Sequence, residues 1–267
     1  MSKISDENRM EFSETIKPYQ SKITALLGKE KTVLNTINSG AADSAYKKIM
    51  LAEDMIYIAT LYMAENSLSL KILDVKNNDA LNESRKILYK SIIYLEELVS
   101  NVIDVPYVDL QDRHDSIKNS PVKDRFVLIK KLGLAINLLE LAFGDNSKWK
   151  WSFVELKGRY AVVAKNFIDM REAAKSYFNP SSENYETTIL YIRLITKLLE
   201  QSAAGYRDKY ELSTRRIDDM RNGIKFLLAR HKLALAIGDK NNAEEIKKKA
   251  VVWKDKMNAD QKSGSSR

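Results

Sequence analysis

The chain has no cysteine, four prolines, nine glycines and two histidines in 267 residues. The missing thiols exclude disulfides, thiolate metal sites and cysteine nucleophiles. They leave the compartment open, because a cysteine-free protein suits the cytoplasm or an oxidising periplasm. So few glycines and prolines leave few tight turns and argue against many short strands. No apolar run escapes interruption by Lys, Arg or Glu, so no transmembrane segment is expected. Residues 1–14 are polar and hold no apolar signal core. The expectation is a periplasmic protein if a leader has been removed, and a cytoplasmic one otherwise.

Catalytic groups are equally sparse. No Gly-rich phosphate loop, nucleophile elbow or His-Glu-x-x-His helix occurs. The cluster of Asp109, Asp112, His114 and Asp115 could hold a hard cation through its carboxylate oxygens, but it lacks the glycine and closing glutamate of a calcium loop, and a solvated loop is the simpler reading. His231 falls within an apolar helical seam and reads as a packed histidine. The expectation is a non-enzymatic protein with no catalytic residue, no cofactor and no metal.

Helical periodicity is abundant. Trp149, Phe153, Leu156, Tyr160, Val163, Phe167, Met170, Ala174 and Tyr177 recur at spacings of four and three, which predicts one helix over 147–178. Asn146 or Ser147 would cap it, and Asn179-Pro180 would end it. Before it, Phe12, Ile16, Tyr19 and Ile23 set a helix that Pro18 should divide in two, closed by Ser39-Gly40. A second helix fits 43–73 with Asp43 or Ser44 as cap, and a third carries Leu88, Ile92, Leu95, Val99 and Val102. Residues 122–143 are apolar on more than one side, so that helix should lie buried among several others. Ser181 or Ser182 should cap a helix running to Ala204, with Gly205 as its C′ residue. Residues 206–237 continue the pattern, and Gly238-Asp239 leads to a last short seam of Ala243, Ile246, Ala250, Trp253 and Met257.

The fold class expected is all-α: elongated antiparallel bundles of long helices, about seven or eight in two sub-bundles. The expected domains are an N-terminal bundle over 1–104, an irregular linker over 105–121, a C-terminal bundle over 122–258 and a disordered tail over 259–267.

Aromatic side chains exceed what one core needs. Trp149 and Trp151 lie about 200° apart around a helix, and Tyr177 and Phe178 are adjacent, so neither pair can face a single core. A helix buried on both sides would explain them, and so would a partner surface, where such rings act as anchors. Charge is uneven too: of the net +8, residues 206–257 supply 14 Lys and Arg against 8 Asp and Glu. Arg215, Arg216, Lys247, Lys248 and Lys249 are the candidate basic contacts. Trp253 keeps helical register with Ile246 and Ala250 and reads as core. No motif that reads DNA or RNA is present.

Residues 233–250, through Gly238, Asp239, Ala243 and Ala250, resemble one tetratricopeptide unit. The 34-residue period of that family does not recur. Leu156-Lys157-Gly158-Arg159-Tyr160 resembles a stretch of the 14-3-3 proteins, whose phosphate-gripping basic set has no counterpart here. As a Lys-, Asn- and Ile-rich, cysteine-free chain of long helices, the sequence resembles the coiling and sheath proteins of spirochaete flagella. That resemblance implies a periplasmic filament component. The reading reached is a helical scaffold whose partners are other proteins, flagellar filament proteins or further copies of itself. The alternative is a basic adaptor for nucleic acid or an anionic membrane surface.

Overall fold

The computed structural model describes residues 4–40, 43–144 and 147–264. Among them the secondary structure is helical throughout, in ten α-helices rather than the seven or eight expected. No described helix is long and apolar enough to cross a membrane. The chain divides into two compact units, 1–98 with 128–147, and 99–127 with 148–267.

The first unit opens with α1 (Asp6–Asn38). The Ser5 hydroxyl accepts the Asn8 N–H at 3.1 Å, and Asp6 and Glu7 sit in the first turn, where carboxylates favour the helix dipole. Pro18 does not divide the helix. It lies on an exposed face together with Glu14, so the carbonyl it deprives of a donor can turn to water. Only Ile23 and Glu30 of α1 are buried. Glu30 accepts Lys90 Nζ at 2.6 Å and the Tyr94 hydroxyl, fastening α1 to the next hairpin.

That hairpin is α2 (Ser44–Leu73) and α3 (Asn78–Leu98). Asp43 precedes α2 in a left-handed conformation and makes no side-chain cap bond. The two helices approach closely through small residues: Ser84 and Ser91 donate to the Ala59 and Ala52 carbonyls at 3.0 and 2.8 Å. Asn66 accepts the Asn77 N–H at 2.9 Å and Ser69 donates to the Val75 carbonyl at 2.7 Å, closing the turn. Helix α5 (Val122–Phe143) contributes residues 128–143, burying Leu128, Ile129, Leu132, Ala135, Ile136 and Leu139. It is not buried all round as expected: Leu134, Leu138 and Leu141 face solvent.

In the second unit, the segment expected to be irregular holds a 3-10 turn (Tyr107–Leu110) and the short helix α4 (Gln111–Ser116). Residues 147–178 are two helices rather than one: α6 (Lys150–Phe167) and α7 (Met170–Tyr177). Ile168 turns extended and buries its side chain, and the Asp169 carboxylate accepts the Arg171 N–H at 2.9 Å to start α7. Trp149, rather than the expected Ser147, occupies the position before α6 and makes no side-chain cap bond, and the other cap expected, Asn146, lies outside the described residues.

Helix α8 (Tyr185–Lys209) begins after Asn184, and Gly205 lies within it rather than beyond it. A Cβ at Gly205 would stand 3.4 Å from Val154. A π-turn (Tyr210–Thr214) and Arg215 at φ 53 separate α8 from α9 (Ile217–Ala236), where one helix over 206–237 was expected. Gly238, at φ +78, then makes the reversal into α10 (Lys240–Gly264). The hairpin is antiparallel, since His231 Nδ1 bonds the Ala243 carbonyl at 2.9 Å and Gly223 backs onto the Trp253 ring. The tail expected to be disordered is helical as far as Gly264, and 265–267 lie outside the described residues.

Candidate functional site

Helix α7 ends where Phe178 N–H returns to the Ala174 carbonyl, leaving Tyr177 and Phe178 side by side, edge to face, with centroids 5.2 Å apart. The chain turns through 179–184 into α8. One face of α8 carries Tyr185, Ile189, Ile192, Arg193, Thr196, Lys197 and Glu200 at helical spacing. Together with Tyr177 and Ile237, at the end of α9, this face lines a cleft of about 460 Å³. That volume lies within the range of small-molecule and side-chain pockets. Phe178 stands at its edge, 62% exposed, its ring 3.7 Å from where a Cβ on Gly238 would be.

The electrostatics of this cleft are one-sided. Arg193 and Lys197, one helical turn apart, are exposed and make no ion pair or side-chain hydrogen bond among the described residues. Glu200, the one acid in the lining, is engaged instead by Arg230 Nη1 at 3.4 Å. Two unsatisfied cations beside tyrosine rings and isoleucines suit a group that is anionic at one end and apolar at the other.

The residues expected from sequence to meet partners are dispersed. Tyr177 lines the cleft and Phe178 borders it. Trp149 and Trp151 stand at the start of α6, half-buried, with Lys148 and Lys150 Nζ over their rings at 5.3 and 5.1 Å, and they do not line it. Arg215 and Arg216 are exposed in the turn before α9, and Lys247, Lys248 and Lys249 are exposed on α10. The hairpin register puts residue 247 level with about residue 229, roughly 20 Å along the axis from Arg216. The two basic groups therefore do not form one patch. Trp253 is buried between Arg207, at 4.9 Å, and Lys249, at 5.3 Å. Arg193 and Lys197 were missed. Their signal was present, since they hold helical register with Tyr185 and Ile189 one step aside from the buried seam of Thr188, Ile192, Ile195 and Leu199.

A buried polar cluster braces the same unit. His114 is buried rather than solvated: its Nε2 donates to the Asn166 carbonyl at 2.8 Å, and Asp169 lies 3.8 Å from Nδ1. Burial pushes the His114 pKa down, with the Asn166 carbonyl and Asp169 opposing it. Asn166 Nδ2 donates to the carbonyls of Ser100 and Val102 at 3.1 and 3.2 Å, and its Oδ1 accepts Lys165 Nζ at 2.8 Å. Lys165 is 2% exposed, with its ammonium 5.1 Å from the Tyr107 ring centroid, and burial lowers its pKa to about 8 despite Asp104 nearby. These bonds tie the 99–121 segment to the junction of α6 and α7.

Fold and site together define an all-α bundle protein with an open cleft lined by Tyr177 and Tyr185 where α8 begins and by Arg193 and Lys197 further along the same helix. The chain belongs to the TP0443 family, a spirochaete family, which it matches over residues 8–261. No curated protein and no solved structure matches it.

Proposed function

We propose that this protein is a non-enzymatic helical scaffold, and that the cleft between α7 and α8 receives an acidic segment of a protein partner. Arg193 and Lys197, cations without counter-ions beside Tyr177, Tyr185 and Phe178, are the observation that carries this reading. The partner's carboxylates would meet the two cations, and an apolar side chain would enter among the rings. The basic excess of residues 206–257 would raise the encounter rate. The assembly proposed is the periplasmic flagellar filament of a spirochaete, as a sheath or coiling component. The spirochaete family and the long cysteine-free helices support it.

The test uses a short fluorescein-labelled peptide alternating Glu with Leu and Phe, followed by fluorescence anisotropy. Binding is expected, with at least a tenfold loss in Arg193→Glu/Lys197→Glu and in Tyr177→Ala/Phe178→Ala, and none for the same peptide with Lys in place of Glu. Equal binding by wild type and both variants removes the cleft from the reading.

The exposed Arg215, Arg216, Lys247, Lys248 and Lys249 favour a second reading, an adaptor for nucleic acid or anionic membrane. It predicts steeply salt-dependent binding to duplex DNA or phosphatidylserine vesicles. Flat titrations at low salt eliminate it.

A further inference from the structure

Along α8 the lining of the cleft has an order of its own. Tyr185, Ile189, Ile192 and Thr196 follow one another at spacings of four, three and four, the rhythm with which one helix meets another lengthwise. At about 100° per residue these four fall within roughly 60° of one another around the helix, and Arg193 and Lys197 stand about a quarter turn to one side. Ile192 is buried at the floor, Tyr185, Ile189 and Thr196 are half-buried, and both cations are exposed. The Thr196 hydroxyl is spent on the Ile192 carbonyl at 2.9 Å, so it leaves the seam without a free donor. The core seam of Thr188, Ile195 and Leu199 lies on the flank away from the cations. So α8 carries a second, shallower seam, about 18 Å from Tyr185 to Lys197, with positive charge along its outer rim.

Two features of this seam select the form of what occupies it. From Ile189 to Glu200 the wall is helix interior, whose backbone groups are spent on the α8 ladder. An extended segment laid there gains no main-chain hydrogen bond and loses water from the amides turned inward, whereas a helix satisfies its own. The second feature is angular. An extended segment has only two faces, opposite one another, so it cannot set an apolar row and an acidic row a quarter turn apart on the same wall. A helix can, with carboxylates four residues apart repeating the interval from Arg193 to Lys197.

We infer that the partner's acidic segment enters the cleft as an amphipathic α-helix lying along α8. Its apolar stripe covers Ile189 and Thr196, a bulky side chain reaches the end formed by Tyr177 and Tyr185, and two carboxylates one turn apart on its flank meet Arg193 and Lys197. This rests on the reading of the cleft as the site for an acidic segment, and adds the form that segment takes.

Fluorescence anisotropy with the full chain tests it, using three labelled peptides of one composition and about 16 residues, enough to cover the seam as a helix. The first sets a Glu pair, four residues apart, on the flank of a four-three stripe of Leu and Phe. The second moves that pair to the face opposite the stripe, and the third alternates the same residues. The first is expected to bind at least tenfold more tightly than either other. A staple across its solvent face should raise its affinity at least threefold, and a central Pro should lower it at least tenfold. Arg193→Glu/Lys197→Glu, its fold checked by urea unfolding, should lose the first peptide at least tenfold and bind in its place the version with Lys for Glu. An alternating peptide that binds as tightly as the first, or a staple that weakens binding, overturns the helical form while the acidic-segment reading stands. Equal binding by the first and second peptides overturns the placement of the carboxylates on Arg193 and Lys197. Binding by none of the three removes the acidic-segment reading itself, and this inference with it.

Discussion

Replacing Lys165 with Met should remove a dependence of stability on alkaline pH that few folded proteins show. The ammonium is buried against Asn166 Oδ1 and the Tyr107 ring, and its pKa falls from an ordinary 10.5 to about 8. Because the folded value is depressed for a base, the unfolded chain holds the proton more tightly between these limits. Stability therefore rises as pH rises through the folded pKa, and levels off above the unfolded one. At 1.36 kcal/mol per decade the whole effect is roughly 3 kcal/mol, and about 2 kcal/mol of it appears between pH 8 and pH 10. Tyr107, pushed up to about 12 by burial, keeps its proton in the folded protein while the unfolded chain begins to lose it at about pH 10, an opposing loss of stability that is common to both proteins and cancels in their difference. Urea unfolding of both proteins at half-unit intervals from pH 7 to pH 10 gives the readout. The difference in unfolding free energy, wild type minus Lys165→Met, should climb by about 2 kcal/mol from pH 8 to pH 10. The offset at pH 7 is not diagnostic, since the substitution also leaves Asn166 Oδ1 without its donor. Two curves that run parallel across the window would refute the burial of a charged Lys165.

Three further substitutions probe the packing. Gly158→Ala would drive a Cβ to 2.7 Å from the Tyr206 ring, which is stacked on Phe226, and should cost about 1–3 kcal/mol, whereas Gly28→Ala meets nothing within 4 Å and should gain about 0.5–1 kcal/mol, both read by denaturant midpoint. Glu30→Ala strands the Tyr94 hydroxyl at a buried site and should cost about 2–3 kcal/mol, with hydrogen exchange rising along α1 before the rest of the first unit. Tyr191→Phe removes a fully buried hydroxyl that has no hydrogen-bond partner, so stability measured by thermal melting should hold or rise by up to about 1 kcal/mol.

What the sequence disclosed was periodicity, and what it hid were the interruptions that leave periodicity intact. The apolar rhythm from Trp149 to Tyr177 steps across Ile168 and Asp169 without a skipped beat, because Phe167, which ends α6, and Met170, which starts α7, are both buried. The break was nonetheless written there, as Asp169 followed by Glu172 three residues on, the pattern of a helix start. Gly205 reads as a helix terminator by residue type. Its place inside α8 follows from the Val154 side chain it admits, a contact between positions 51 residues apart. His114 looked solvated among aspartates because its neighbour, the Asn166 carbonyl, comes from another helix. For α5, apolar width was legible but the number of neighbouring helices was not, so burial all round was expected where one face is bare. Of the cleft, the aromatic end was visible as unexplained rings at 177 and 178. The cationic pair was passed over because Arg193 and Lys197 alternate along α8 with the polar Thr196 and Glu200 and look like ordinary solvated charge.

Partner capture at the edge of the cleft tests the central claim most directly. A photo-crosslinking phenylalanine analogue placed at position 178, in cells that make the protein, should trap one discrete acidic protein upon irradiation. The same probe at Met10, exposed on α1, should not trap it, and Arg193→Glu/Lys197→Glu should abolish the product. A probe at 178 that yields no protein adduct, or an adduct indifferent to that charge reversal, would contradict a scaffold that works through this cleft.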